Sequence, residues 1–177
     1  MLTFEEFPKI ARLNRDCVIS EKIDGTNAQV IVGEDGEIVA ASRSRIIYPE
    51  DDNFGFARWV RENADELRTL GPGRHFGEWW GAGIQRRYGQ QTKRFSLFNA
   101  ERWGEARPLC CDVVPVLYRG KFSTEAVNGC LDRLREQGSA VAPGFMKPEG
   151  VIVWHNAARV GFKVTLERDD APKSQAV

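Results

Sequence analysis

Between the short apolar run Val18-Ile19 and a glycine, the segment Ser20-Glu21-Lys22-Ile23-Asp24-Gly25-Thr26-Asn27 sets one lysine between two carboxylates. A surface lysine has a pKa of about 10.4, so near neutral pH roughly one in a thousand is unprotonated, and making it a nucleophile takes about 4 kcal/mol of help from its surroundings. Glu21 and Asp24 alone work against that, because neighbouring anions hold the ammonium charged. A reactive Lys22 therefore needs a cation beside it, and a metal ion brought by a nucleotide supplies one. The competing interpretation is a solvated lysine at a strand end followed by an ordinary Asp-Gly turn.

Further segments set polar residues in or beside apolar runs, where burial without a partner is costly. Ser42-Arg43-Ser44-Arg45 follows a hairpin, and His75-Phe76-Gly77-Glu78-Trp79-Trp80-Gly81 holds one acid among aromatics. Phe95-Ser96-Leu97-Phe98-Asn99 ends an apolar run, Glu149-Gly150-Val151-Ile152-Val153 begins one, and Gly161-Phe162-Lys163-Val164 places a lysine within one.

The elements that must position these groups follow from periodicity. Val18-Ile19, 28–32 and 38–41 read as strands, with a hairpin turn at 34–37, so Lys22 is expected in the loop between two strands. A helix is expected over 53–70, where Phe56, Trp59, Val60 and Leu67 share a face and Gly71-Pro72-Gly73 stops it. A second is expected over 124–137, capped by Ser123, with Val127, Cys130, Leu131 and Leu134 as its stripe and Gly138 at its end. The runs 75–80, 95–98, 109–116, 151–154 and 160–166 read as strands, which gives an α+β domain dominated by sheet. The expected domain is 1–168, with a poorly ordered tail over 169–177.

Composition excludes several classes. At 177 residues and 42% hydrophobic, the chain can bury a sizeable core. Its 25 basic and 25 acidic residues balance, so no global basic field draws nucleic acid, and any polyanion contact must be local. The four cysteines lack zinc-ligand spacing and a disulfide framework, and are expected as small core residues in a reducing compartment. The acidic start and the lack of a long apolar run argue against a signal peptide or membrane span, so a cytoplasmic location is expected.

Taken in order, the segments resemble the covalent nucleotidyltransferases, which comprise RNA ligases, ATP- and NAD-dependent DNA ligases and messenger-RNA capping enzymes. The nearest resemblance is to the phage-type RNA ligases that seal ends on a duplex. It rests on the lysine-x-acid-glycine element at Lys22, the arginine after the next hairpin, Gly77-Glu78, the Phe95 to Phe98 run, the Glu149-Gly150 strand and the Lys163 strand. These span nearly the whole chain. The resemblance implies a nucleotidyltransferase domain, akin to ATP-grasp-like adenylylation domains, of mostly antiparallel sheets flanked by helices. It implies an ATP-dependent RNA ligase in the cytoplasm of a bacterium or a phage-infected host cell. Lys22 would attack the α-phosphorus of ATP and hold AMP, with Mg2+ or Mn2+ as cofactor. Glu149 and Asp24 would hold the metal, with Asn27 assisting through water. Arg43, or Arg45 close by, would contact ribose or phosphates; Glu78 would accept from the ribose hydroxyls; Phe98 would stack on adenine; Lys163 would neutralise the α-phosphate. Glu21 resembles the residue whose neighbourhood reads the adenine edge, with its backbone a candidate for that contact.

The sequence also departs from the family pattern. Thr165 stands where many relatives carry a second lysine, with Lys173 a candidate replacement, and Asn99 stands where aspartate is common. No appended OB-fold or helical domain is expected. Arg86, Arg87, Lys93 and Arg94, interleaved with Tyr88, Gln90 and Gln91, are the candidate RNA-binding cluster, with Arg45 a further candidate contact. The expected partners are RNA ends or a nicked duplex bearing a 5′-phosphate and a 3′-hydroxyl, bound by a monomer. Alternatives are the same covalent step with another acceptor, such as a DNA end or a cap-like product, and a non-catalytic nucleotide-binding module.

Overall fold

A computed structural model describes residues 3–167 and 169. In chain order it holds β1 (Asp16–Lys22), β2 (Thr26–Val32), β3 (Ile38–Ser42), β4 (Ile46–Ile47), α1 (Phe56–Glu62), α2 (Ala64–Arg68), β5 (Gly73–Gly81) and β6 (Lys93–Leu97). There follow α3 (Ala100–Trp103), β7 (Cys111–Val113), β8 (Val116–Lys121), α4 (Thr124–Gln137), β9 (Gly150–His155) and β10 (Val160–Thr165). The expected tail lies outside the described residues apart from Asp169, and so does Lys173.

Alternation builds two sheets. Cys17 and Ile19 of β1 are buried against Val127, Cys130, Leu131 and Leu134 of α4, while Val18, Ser20 and Lys22 take the other face. This sheet runs β10-β9-β1-β8, every pair antiparallel. The second runs β4-β3-β2-β5-β6-β7. One of its faces, with Ala28, Val30, Val32, Trp79, Phe95 and Leu97, packs on Phe56, Ala57, Val60 and Leu67 of α1 and α2. Its other face carries Asn27 and Glu78, cross-strand partners. The fold is thus α+β with mostly antiparallel sheets, β6 with β7 being a parallel pair.

Three expectations change for local reasons. The helix over 53–70 is two helices, because Asn63 donates both its backbone N–H (3.0 Å) and its Nδ2 (2.8 Å) to the Trp59 carbonyl, a side chain competing with the helical ladder. It also starts later than 53, since Phe54 (φ 53°) and Gly55 (φ 84°) are left-handed, and the Asp52 carboxylate accepts from Ala57 N and Arg58 N in the first turn. The strand over 109–116 is split between the sheets. Pro115 has no N–H for a ladder, and there the chain leaves β7 in one sheet for β8 in the other. Lys22 lies at the end of β1 rather than in a loop, paired with Gly150.

The second helix is as expected: Ser123 Oγ accepts from Ala126 N at 3.1 Å, and Gly138 follows with φ 78°. Asn99 caps α3 through Arg102 N at 3.1 Å, a role an aspartate fills equally well. All four cysteines are free thiols; Cys17, Cys111 and Cys130 are buried and Cys110 partly so.

Candidate active site

From Lys22 the chain turns through Ile23, Asp24 and Gly25 into β2. The turn is pinned from below, with Ile23 buried in a cluster with Trp80, Tyr88, Val114 and Ala142. Gly25 passes so close to β5 that a Cβ would meet the Trp79 carbonyl oxygen and, at 2.8 Å, the Trp80 Cβ. Close approach, not a left-handed backbone, demands glycine there.

Lys22 Nζ donates to Glu149 Oε2 at 2.6 Å. Glu149 is buried and sits one residue ahead of β9, whose Gly150 pairs with Lys22. Glu78, also buried, faces the turn. Its Oε1 accepts from Gly25 N (3.0 Å) and its Oε2 from Asn27 Nδ2 (3.2 Å). Burial pushes its carboxyl up to about 7, against the pull of Lys22 and the Gly25 N–H, with Glu149 and Asp24 adding to the rise. Asp24 is held twice. Its N–H donates to Tyr88 Oη at 2.9 Å, and its Oδ2 accepts from Arg86 Nε at 3.0 Å.

Beside Asn27 a groove of about 250 Å3 is lined by Gln29, Arg43, Phe76 and Phe98. Phe98 and Phe76 stay 43% and 52% exposed, so neither is simple core. A larger hollow of about 680 Å3 lies beside α1, lined by Asp52, Phe54, Arg58, Trp59 and Lys93. It opens on the α1 side of the sheet, away from Glu78, and holds none of the residues that surround Lys22. Lys163 is exposed on β10 and pairs with Ile152, which pairs with Ser20. Since side chains alternate, Lys163 shares the sheet face of Ser20 and Lys22. Thr165 aligns with Lys22 through Gly150, and its hydroxyl donates to Glu167 O and Asp169 Oδ1.

Lys22, Asp24, Asn27, Glu78 and Glu149 are therefore brought together where the two sheets meet, with Arg43 and Phe98 along one groove leading from Asn27. Other expected groups are engaged elsewhere in the fold. The Glu21 carboxylate points away from Lys22 and accepts from Ser139 Oγ (2.6 Å), Ala140 N (2.7 Å) and Val141 N (3.0 Å), so contact with a nucleotide is left to its backbone. Arg45 is paired with Asp51 at 2.6 Å while Arg43 lines the groove. The candidate RNA-binding cluster disperses: Arg86 binds Asp24, Arg94 binds Asp112 in a fork at 2.7 and 2.9 Å, and Lys93 donates to Phe54 O at 2.7 Å. Tyr88 is buried and unable to stack on a base; Arg87 remains exposed.

The roles of Arg86 and Tyr88 beside Asp24 were invisible in the sequence because they sit in a charged run that reads as solvated. A tyrosine between Gly83 and Gly89 within that run was the available signal. The donors offered by Asp24 and Glu149 are hard oxygens. Among the described residues no three or more His, Cys, Asp or Glu side chains form a metal-holding group. Such a pair fits a small divalent cation that keeps most of its waters and shares phosphate oxygens, rather than an all-protein cage.

Comparison with known proteins adds a family and a fold. The family model described as RNA ligase matches residues 15–165. Solved structures of Naegleria gruberi RNA ligase are similar. A lysine-to-alanine mutant with ATP and Mn is 18% identical with a TM-score of 0.63, covering 86% of this chain and 49% of that one. A lysine-to-methionine mutant with AMP and Mn is 17% identical with a TM-score of 0.63, covering 86% and 50%. An arginine-to-alanine mutant with ATP and Mn is 16% identical with a TM-score of 0.64, covering 88% and 51%. The chain thus spans about half the length of these structures, and at such identity the likeness concerns the fold. No curated protein sequence matches it significantly.

Proposed function

The chain belongs to the RNA ligase family, and from that membership we propose that it is an ATP-dependent RNA ligase working through a lysyl-AMP intermediate. The observation that carries this reading is the gathering of Lys22, Asp24, Glu78 and Glu149 at one turn, with the lysine amine 2.6 Å from a buried carboxylate.

In the ion pair with Glu149 the amine's lone pair is tied up, so attack requires that it leave Glu149 and release a proton to solvent. The free amine then forms an N–P bond to the α-phosphorus of ATP while the bridging P–O bond breaks and pyrophosphate departs, and the nitrogen gives up a second proton to solvent to leave the phosphoramidate. Asp24 and Glu149 would hold Mg2+ or Mn2+, which lends positive charge to the amine and to the phosphate oxygens. Glu78, already fixed by Gly25 and Asn27, presents its remaining lone pairs to the ribose hydroxyls. Phe98 offers a ring face to the base, with Arg43 beside it, and Lys163 of β10 approaches the phosphates from the sheet face that carries Lys22. AMP passes from Lys22 to a 5′-phosphate, and a 3′-hydroxyl displaces it to close the phosphodiester. We infer that the preferred substrate is a nick, because a complementary strand supplies the alignment of ends that a chain without net positive charge supplies poorly.

Incubation with ATP or GTP labelled at the α-phosphate and Mg2+, followed by a denaturing gel, tests the covalent step. Wild-type protein should be labelled by ATP, through a bond labile to acid and stable to base, and Lys22→Ala should carry no label. Persistent labelling of that variant would assign the nucleophile elsewhere.

A further inference from the structure

The loop between β5 and β6 carries Arg86 into the site from a distance of 62 residues in sequence. Its guanidinium reaches two separate segments. Nε donates to Asp24 Oδ2 at 3.0 Å, and Nη1 donates to the carbonyl oxygens of Lys147 (3.0 Å) and Pro148 (3.4 Å). These carbonyls immediately precede Glu149. Glu167 lies 4.0 Å from Nη2.

Resting on the functional reading above, we propose that Arg86 is a positioning residue for the divalent cation. It braces the Asp24 carboxylate against the segment that delivers Glu149, so that the two carboxylates stand in fixed register for one ion. Two features make the brace stiff. Arginine offers a planar fork of donors that engages several acceptors at once, which a lysine ammonium cannot match. The loop itself is held by buried Tyr88, whose Oη takes the Asp24 N–H and whose ring lies 4.6 Å from that of Phe145. Residues that hold metal ligands in this manner act through ligand order, with no contact to the ion.

A bare positive charge would by itself repel a cation, so charge and bracing predict opposite signs when Arg86 is removed. The contacts to two backbone carbonyls favour bracing, since an arginine serving only to neutralise Asp24 has no need of them.

Binding of Mn2+ alone, followed by the loss of the free-ion EPR signal, separates the two in wild-type protein, R86A and R86K. Mn2+ binding should weaken by about tenfold or more in R86A and by less in R86K, which keeps the charge and loses the planar fork. In labelling assays the Mn2+ needed for half-maximal rate should rise by a similar factor, while the rate at saturating Mn2+ stays within about threefold of wild type. Unchanged or tighter Mn2+ binding overturns the proposal, as does a rate loss that saturating metal fails to restore. Should R86A not fold, R86K decides: weaker Mn2+ binding with the rate at saturating Mn2+ retained supports the brace, and unchanged or tighter binding overturns it. A wild-type protein that binds Mn2+ and forms no adduct would overturn the ligase reading, while the Mn2+ titrations would still report on Arg86.

Discussion

Glu78 meets the turn that follows Lys22 with both oxygens, yet burial makes its charge costly, and the balance puts its carboxyl at about 7. That fixes a pH signature. A carboxyl raised on folding binds its proton more tightly in the folded chain, so its contribution to stability is complete below about 4.5 and is lost as pH climbs through about 7. The loss is at most about 3 kcal/mol at the usual conversion of pKa into free energy. Glu78→Gln removes the titration and adds an offset that does not depend on pH. Denaturant unfolding should therefore show wild type losing ground to the Gln variant between pH 5 and pH 8. An equal difference at both values would mean that Glu78 is ionised throughout. At this scale what the sequence made legible is which polar residues come together. Lys22, Asp24, Glu78 and Glu149 were legible from their polar placement in apolar strands together with the family pattern. The direction of the Glu21 carboxylate follows from alternation, since the pleat that aims Lys22 into the site aims its neighbour out of it.

The loop after α4 depends on that outward carboxylate. Glu21 joins β1 to Ser139, Ala140 and Val141, and Ala142 N in turn donates to Ser139 Oγ at 3.1 Å. Removing the acceptor strands the buried Ser139 hydroxyl, at about 1–3 kcal/mol, and frees two part-buried N–H groups at a smaller cost. Glu21→Ala should therefore lower unfolding stability by at least about 2 kcal/mol, with hydrogen exchange quickening first over 139–146. Unchanged exchange there would mean that other contacts hold the loop. Element types were readable wherever a period ran uninterrupted, as in α4. They failed where a single side chain or imide intervened, at Asn63 and Pro115. The tiny β4 and one-turn α3 gave no periodic signal, since they span only 46–47 and 100–103.

Across the whole molecule, charge balance and the dispersal of the Arg86 to Arg94 cluster leave phosphate contacts few and local. Joining of a nick with RNA on the 3′-hydroxyl side should exceed joining of free single strands, and activity should fall steeply as salt rises. Nicked duplexes with RNA or DNA on each side of the break, compared with single strands at low and moderate salt, measure this. Efficient joining of free strands would refute the nick preference. A protein that takes up AMP normally and joins nothing would point to another acceptor.

The position of β1 bears on how the molecule is made. Its strand lies between β8 and β9, and its partners Lys121 and Gly150 are translated more than a hundred residues after Asp16 and Lys22. At about 5–20 residues per second, the ribosome leaves this strand with both edges bare for several seconds or more. The sheet of β2, β3 and β5 can meanwhile close on α1 from neighbouring stretches of chain. Lys22 is thus among the earliest residues synthesised and among the last to find its place, and a stalled nascent chain would carry an adhesive, unpaired strand instead of a closed sheet.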